Sequence, residues 1–232
     1  MAASDDHPHL SRPRPPGTVR VDMHSHTMWS GDCTTTPDEI AVAVEAAGLD
    51  VLCVTDHNAI RGAQALVGDL PCRVVVGEEV RTGSGEMIGL FLDERIPPGL
   101  GAEETAVRIR DQGGLVYIPH PYDPARHCMS EPVLHRLLAD GLVDAIEVFN
   151  SKTSLPSLNR RAAETAAAAG LASGAGSDAH VPAALGAAYV EVADFAGPGE
   201  FLASLTNGAV FGHYFDPPRP WRSRIVPSTS PY

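Results

Sequence analysis

Short apolar runs recur along this chain, and several of them end abruptly in histidines or carboxylates. Between them lie alanine-rich stretches with helical spacing, a rhythm of strand-helix units that feeds a mostly parallel sheet. Residues 19–23 read as a strand, 37–47 as a helix that starts on proline and stops at Gly48, and 51–55 as the next strand. Predicted strands follow at 73–76, 87–92, 115–118, 145–149 and 187–192, with helices at 103–112, 132–139, 159–169 and 199–205. About seven or eight such units predict a single-domain α/β barrel of the TIM-like kind. A chain of 232 residues can bury one sizeable core but leaves little for a second.

In such a barrel the residues at the C-terminal ends of the strands share one mouth. Val21-Asp22-Met23-His24-Ser25-His26-Thr27 sets two imidazoles at i and i+2, on one strand face, where they can converge on one ion. The segment VLCVTDHN at 51–58 brings His57 to the same mouth, with Asp56 as an acceptor for a neighbouring ring. In VVVGEEV at 74–80 the adjacent carboxylates must point to opposite faces, so Glu79 is assigned to the mouth and Glu78 to ordinary polar contacts. His120 in Ile118-Pro119-His120-Pro121, and Asp178 with His180 in Ser177-Asp178-Ala179-His180, follow the same placement. A multinuclear metal site accounts for all five segments at once.

The formal net charge of −12 argues against a surface built to neutralise many phosphates, so long nucleic acid is not the expected partner. Ligating carboxylates would contribute to that charge, and bound ions would cancel it locally. Cys33, Cys53, Cys72 and Cys128 show no paired spacing, which fits reduced thiols in a cytoplasm rather than a zinc ribbon or a disulfide framework. No stretch has the length and hydropathy of a membrane span, and the first residues lack the pattern of a secretory signal. Residues 1–17 are expected to form a disordered leader, which removes the His7/His9 pair from consideration. Residues 216–232 are expected to form an irregular tail, with Trp221 as its one anchor.

Taken in order, DMHSHT, SGD, TDHN, GEE, PHP and GSDAH resemble the motifs of the PHP (polymerase and histidinol phosphatase) superfamily, over roughly residues 19 to 215. The resemblance implies a distorted seven-stranded (β/α) barrel holding two or three divalent ions of manganese, iron or zinc. It places His24, His26, Glu79 and Asp178 around one ion and Asp32, His57 and His180 around a second. Among these, His57, Asp178 and His180 are the catalytic candidates. Glu79 and His120 match a third site, but Glu86 stands where the family commonly has histidine, a change that favours manganese or iron over zinc. In Val148-Phe149-Asn150-Ser151-Lys152 the resemblance points to Lys152 as a phosphate contact, with Asn150 in support. Arg81, Arg126 and His127 are further candidates for binding an anion from the mouth loops.

The reaction these features imply is hydrolysis of a small phosphate monoester from a phosphorylated metabolite by activated water. The alternatives are a phosphodiesterase or exonuclease acting on oligonucleotides or dinucleotides, and a metal-binding module without turnover. No sequence feature bears on oligomeric state.

Overall fold

The computed structural model describes residues 12–215. The chain order is β1 Thr18–Ser25, α1 Pro37–Ala46, β2 Val51–Val54, α2 Arg61–Leu66, β3 Arg73–Thr82, β4 Gly85–Leu90, α3 Ala102–Asp111 and β5 Leu115–Ile118. It continues with α4 Glu131–Ala139, β6 Ala145–Asn150, α5 Pro156–Ala169, β7 Ala172–Gly176, β8 Ala188–Ala193, α6 Pro198–Leu205 and β9 Ala209–Gly212. His7, His9 and Trp221 lie outside the described residues.

The helices start and stop where local chemistry dictates. Thr36 and Glu39 form a reciprocal capping box at the head of α1, ahead of Pro37, and Gly48 turns the chain left-handed (φ 59°) just beyond its end. Gly170 does the same for α5, at φ 66°. No helix among the described residues is long and apolar enough to cross a membrane.

The strands form one nine-stranded sheet in the order β7-β6-β5-β4-β3-β2-β1-β8-β9. Seven strands run in one direction, but β4 and β8 run against them, so the pairings of β4 with β3 and β5, and of β8 with β1 and β9, are antiparallel. This corrects the expectation of a mostly parallel sheet. The cause at β4 is the turn: only Gly83 and Ser84 separate it from β3, and two residues can join only antiparallel neighbours. β3 also runs on past residue 76. Its first half pairs with β2 and its second half, from Gly77, with β4, so Glu79 sits inside a strand rather than after one.

The sheet curls until its ends almost meet. The Asp178 N–H donates to the His24 carbonyl (2.8 Å) and the His26 N–H to the Ala179 carbonyl (3.0 Å), stitching the segment after β7 to the end of β1. The barrel interior below this seam is filled by Met23, Cys53, Ile88, Tyr117, Ala175 and Val190, all buried, while the helices cover the outside. Residues 12–17, expected as part of a disordered leader, instead lie against the barrel. Arg12 pairs with Glu191 (3.0 Å) and Arg14 with Asp50, contacts whose partners are distant in sequence and invisible to local composition.

Candidate metal centre

The seam and the strand ends bring the histidines and carboxylates together in one cluster, buried at its centre and exposed at Asp32. His24 and His26 share a face of β1, as period two requires, and their Nε2 atoms lie 3.1 Å apart. Asp178 Oδ1 stands 3.4 Å from the second ring and 3.8 Å from the first. Glu79 is the hub: Oε2 lies 3.2 Å from His24 Nε2, 3.3 Å from His26 Nε2 and 3.2 Å from His57 Nδ1, while Oε1 lies 3.0 Å from His120 Nε2. On the outer side Asp32 Oδ2 meets His180 Nε2 at 3.0 Å and His57 Nε2 at 3.5 Å. Glu86 approaches His57 Nδ1 (3.5 Å) and His120 Nε2 (3.9 Å) and is held from outside by Arg81 Nε (3.0 Å).

These residues fall into four overlapping sets whose ligand atoms lie within 4.8 Å of one another: His24/His26/Asp178, His24/Glu79/His120, His57/Glu79/Glu86, and His26/Asp32/His57/His180. Ring nitrogens that face each other across 3.1 Å, flanked by carboxylates, suit a shared cation better than each other. His57 Nδ1 is buried without a hydrogen bond, between Glu79 and Glu86. The donor set is mixed imidazole and carboxylate, which fits manganese, iron or zinc. Compared with the partition that the family resemblance implies, His26 also belongs with the outer set, and Glu86 groups with His57 and Glu79 more closely than with His120.

The electrostatics follow from burying acids among imidazoles. Burial would raise Glu79 and Asp178, but His24 and its neighbours in the first case, and Lys152 and His24 in the second, hold both well below the carboxylate range. Burial together with His180 pushes His26 down to about 4. Burial alone would also lower His57, yet Asp32, Glu79 and Glu86 outweigh it and raise the ring to about 9. Below that pH a cation must displace a proton from His57. The apparent affinity for Mn²⁺ is therefore expected to rise from about pH 6 to about pH 9 and then level off, with proton release detectable by calorimetry in buffers of different ionisation enthalpy. In the metal-free protein the sign is opposite. Because the folded-state value lies above the ordinary 6.5, the stability from this group is present below 6.5 and lost as pH rises through about 9. An affinity that stayed flat across this interval would exclude His57 as a ligand.

Three positions hold the rings in place, and they were not singled out in the sequence. Glu147, buried in β6, accepts from His24 Nδ1 (3.1 Å), the His120 N–H (2.7 Å) and Asn150 Nδ2 (3.0 Å), which leaves the His24 Nε2 lone pair facing the cluster. It is the one charged side chain in the run Ala145–Asn150, which was its signal. Ser30 Oγ lies 2.9 Å from His26 Nδ1 and accepts the His57 N–H at 3.1 Å. Asp22 accepts from the N–H groups of His24, Ser177 and Gly186 beneath the seam. Asp56, by contrast, supports no ring: both its oxygens take hydrogen bonds from Thr27, N–H and Oγ1, at 2.7 Å each. It faces the 27–30 turn, whereas the next residue, His57, faces Glu79. Glu78 points away from the cluster and accepts the Ile96 N–H at 2.7 Å.

Beside the cluster is a cavity of about 130 Å³ lined also by Arg81, Arg126, His127 and Lys152. Lys152 Nζ lies 3.3 Å from Asp178 Oδ1 and 2.9 Å from His180 Nδ1; Arg126 Nε lies 3.5 Å from Asp178 Oδ2. Asn150 backs both, reaching Asp178 Oδ2 at 3.4 Å and accepting the Lys152 N–H at 2.9 Å. Arg81 is committed to Glu86, and His127 contributes its carbonyl to the Glu86 N–H (2.7 Å). Four non-glycine residues adopt positive φ among the described residues, and three of them, Asn58, His120 and Asp178 (53°, 28° and 50°), lie at this mouth; the fourth is Phe91 (62°).

Comparison with known proteins bears on the family and the fold. The PHP domain model matches residues 22–131, and the PHP-associated model matches residues 156–210. An uncharacterized protein of Methanocaldococcus jannaschii is 38% identical over 146 residues, covering 57% of this chain and 82% of that protein. A protein of Haemophilus influenzae named 5'-3' exoribonuclease is 28% identical over 148 residues, covering 57% of this chain and 54% of its own length. Among solved structures, a two-domain protein from Bacteroides vulgatus, described as containing a predicted PHP-like metal-dependent phosphoesterase, superposes with a TM-score of 0.71. That match covers 87% of this chain and 67% of the other at 18% identity, a likeness of fold.

Proposed function

This chain belongs to the PHP family of metal-dependent phosphoesterases, and from that premise we propose that it hydrolyses a small-molecule phosphate monoester. The observation that carries the reading is the meeting of Lys152 and Arg126 on Asp178 at the wall of a cavity of about 130 Å³. Two cations on adjacent loops suit the dianion of a terminal phosphate, and the acidic remainder of the chain suits a small anion better than a polyanion.

Divalent ions, when bound by the His24/His26/Asp178 and outer His57/His180/Asp32 sets, supply Lewis acidity and lower the pKa of water. The chain's own part is positioning. Glu147 fixes the tautomer of His24 by accepting its Nδ1 proton (3.1 Å), while the Asp178 carbonyl and Lys152 Nζ both abut His180 Nδ1 (2.9 Å each). Lys152 and Arg126 then orient the phosphate oxygens against the cluster, and the walls of the cavity limit the volume of the group that can enter.

A second reading, hydrolysis at an oligonucleotide end, is favoured by the relative named as an exoribonuclease. One assay separates them: phosphate release from sugar, nucleotide and amino-alcohol monoesters, and nucleotide release from 5'-phosphorylated RNA, each with Mn²⁺, Fe²⁺ or Zn²⁺. Turnover of monoesters without shortening of RNA is the expected result. RNA shortening alone would establish the second reading in its place.

A further inference from the structure

The two loops that carry Arg126 and Lys152 come from different strand-helix units, one between β5 and α4 and the other between β6 and α5, yet a single buried side chain ties them together. Asp123 Oδ2 accepts the Ser154 N–H (2.8 Å); its Oδ1 accepts the Ser154 hydroxyl (2.7 Å) and the Ala125 N–H (3.0 Å). The Asp123 backbone extends the tie. Its N–H donates to the His120 carbonyl (3.1 Å), and its carbonyl accepts the Arg126 N–H (3.0 Å). Arg126 crosses to the other loop and donates from Nη2 to the Lys152 carbonyl at 3.0 Å. Burial would raise the Asp123 carboxyl, but its hydrogen bonds from Ser154 and Ala125 hold it below the ordinary value, as expected of a carboxylate that stays ionised in this clamp. The Asp123 carboxylate bonds to Ser154 and Ala125 rather than to the metal-cluster side chains, and Asp123 does not line the cavity.

We propose that Asp123 is a positioning residue that locks the two cation-bearing loops into one preformed anion-binding unit, an inference that rests on the phosphate-ester reading above. Neither loop alone presents both cations; with Ser154 released, only the bond from Arg126 Nη2 to the Lys152 carbonyl would still join the supports from which the two cations approach an anion. Preorganisation of this kind is felt in ground-state binding of the phosphate, and loss of alignment by about an ångström costs on the order of tenfold to a hundredfold.

The test uses metal-loaded full-length protein. Asp123→Ala is expected to weaken binding of inorganic phosphate, read by calorimetry, by about tenfold and to raise KM for a monoester by a similar factor. The metal content and most of kcat should be retained. Asp123→Asn, which keeps one acceptor oxygen, should recover part of the loss. Thr165→Val serves as the structural control, because it removes the Tyr122 hydroxyl contact (2.7 Å) that anchors the same loop from outside. It should lower the unfolding temperature without moving phosphate affinity. Wild-type phosphate affinity in Asp123→Ala, or an equal loss in Thr165→Val, overturns the proposal. The absence of monoester turnover in the wild type counts against the functional reading alone, because phosphate binding still reports on the clamp.

Discussion

Glu79→Gln is expected to empty the centre of metal and to lower kcat/KM by at least a thousandfold, about 4 kcal/mol of transition-state stabilisation. The substitution keeps the shape and removes the charge. In the native chain the two oxygens of Glu79 face His24, His26 and His57 at 3.2 to 3.3 Å and His120 at 3.0 Å, so one carboxylate serves four rings from three different segments. An amide in its place can accept through one atom only and turns N–H groups toward ring nitrogens that need an acceptor or a cation. Metal analysis after dialysis reads the first effect and steady-state kinetics the second. Glu78→Gln is the natural companion, since that carboxyl is equally buried but faces away and accepts the Ile96 N–H. It should affect stability and leave metal content intact. A Glu79→Gln protein with its full complement of metal would remove Glu79 from the centre.

The second large effect is one of packing. A Cβ built on Gly176 would stand 2.2 Å from His24 Cβ, 2.9 Å from His24 N and 2.7 Å from Glu147 Oε1. Two of these atoms belong to the backbone or its first carbon and cannot swing aside, so the seam itself must open. Overpacking of this kind costs about 3 kcal/mol, the upper part of the usual range. For a chain of this size that lowers the unfolding midpoint by roughly 6–12 °C. Gly176→Ala should also bind metal more weakly, because the displaced atoms carry and orient an imidazole. Gly199→Ala in α6 meets nothing within 4 Å and should leave the midpoint unchanged or raise it. Equal midpoints for the two variants would mean that the seam yields without cost.

The strand-helix rhythm was legible because each unit buries an apolar run and covers it with an amphipathic helix, and both leave a periodic trace. The histidines and carboxylates were legible because they end or interrupt those runs. What was hidden has a physical reason in each case. The sequence predicts that β3 ends at Val76, because Gly77, Glu78 and Glu79 break its hydrophobicity, although the backbone runs on as far as Thr82. α2 has six residues, no side-chain cap and a glycine in its interior, so neither period nor punctuation marks it. That glycine, Gly62, is needed where the helix passes Asp56 and Thr27 too closely for any Cβ. β9, half-buried, offers too weak an alternation to be seen. The side to which Asp56 turns, and the reach of Glu147 from β6 to His24 on β1, depend on which strands become neighbours, and spacing along the chain carries no such information.

The stitch that closes the barrel and the cluster at its mouth belong to the same few residues: the His24 carbonyl receives the Asp178 N–H, and the His26 N–H donates to the Ala179 carbonyl. Descent with modification is thereby constrained. A lineage sharing this closure can rebuild the connections after β5 and β6 and so change what it accepts, but drift in residues 176–180 perturbs architecture and chemistry in one step. Circular permutation or a split of the chain at this seam would likewise cut both.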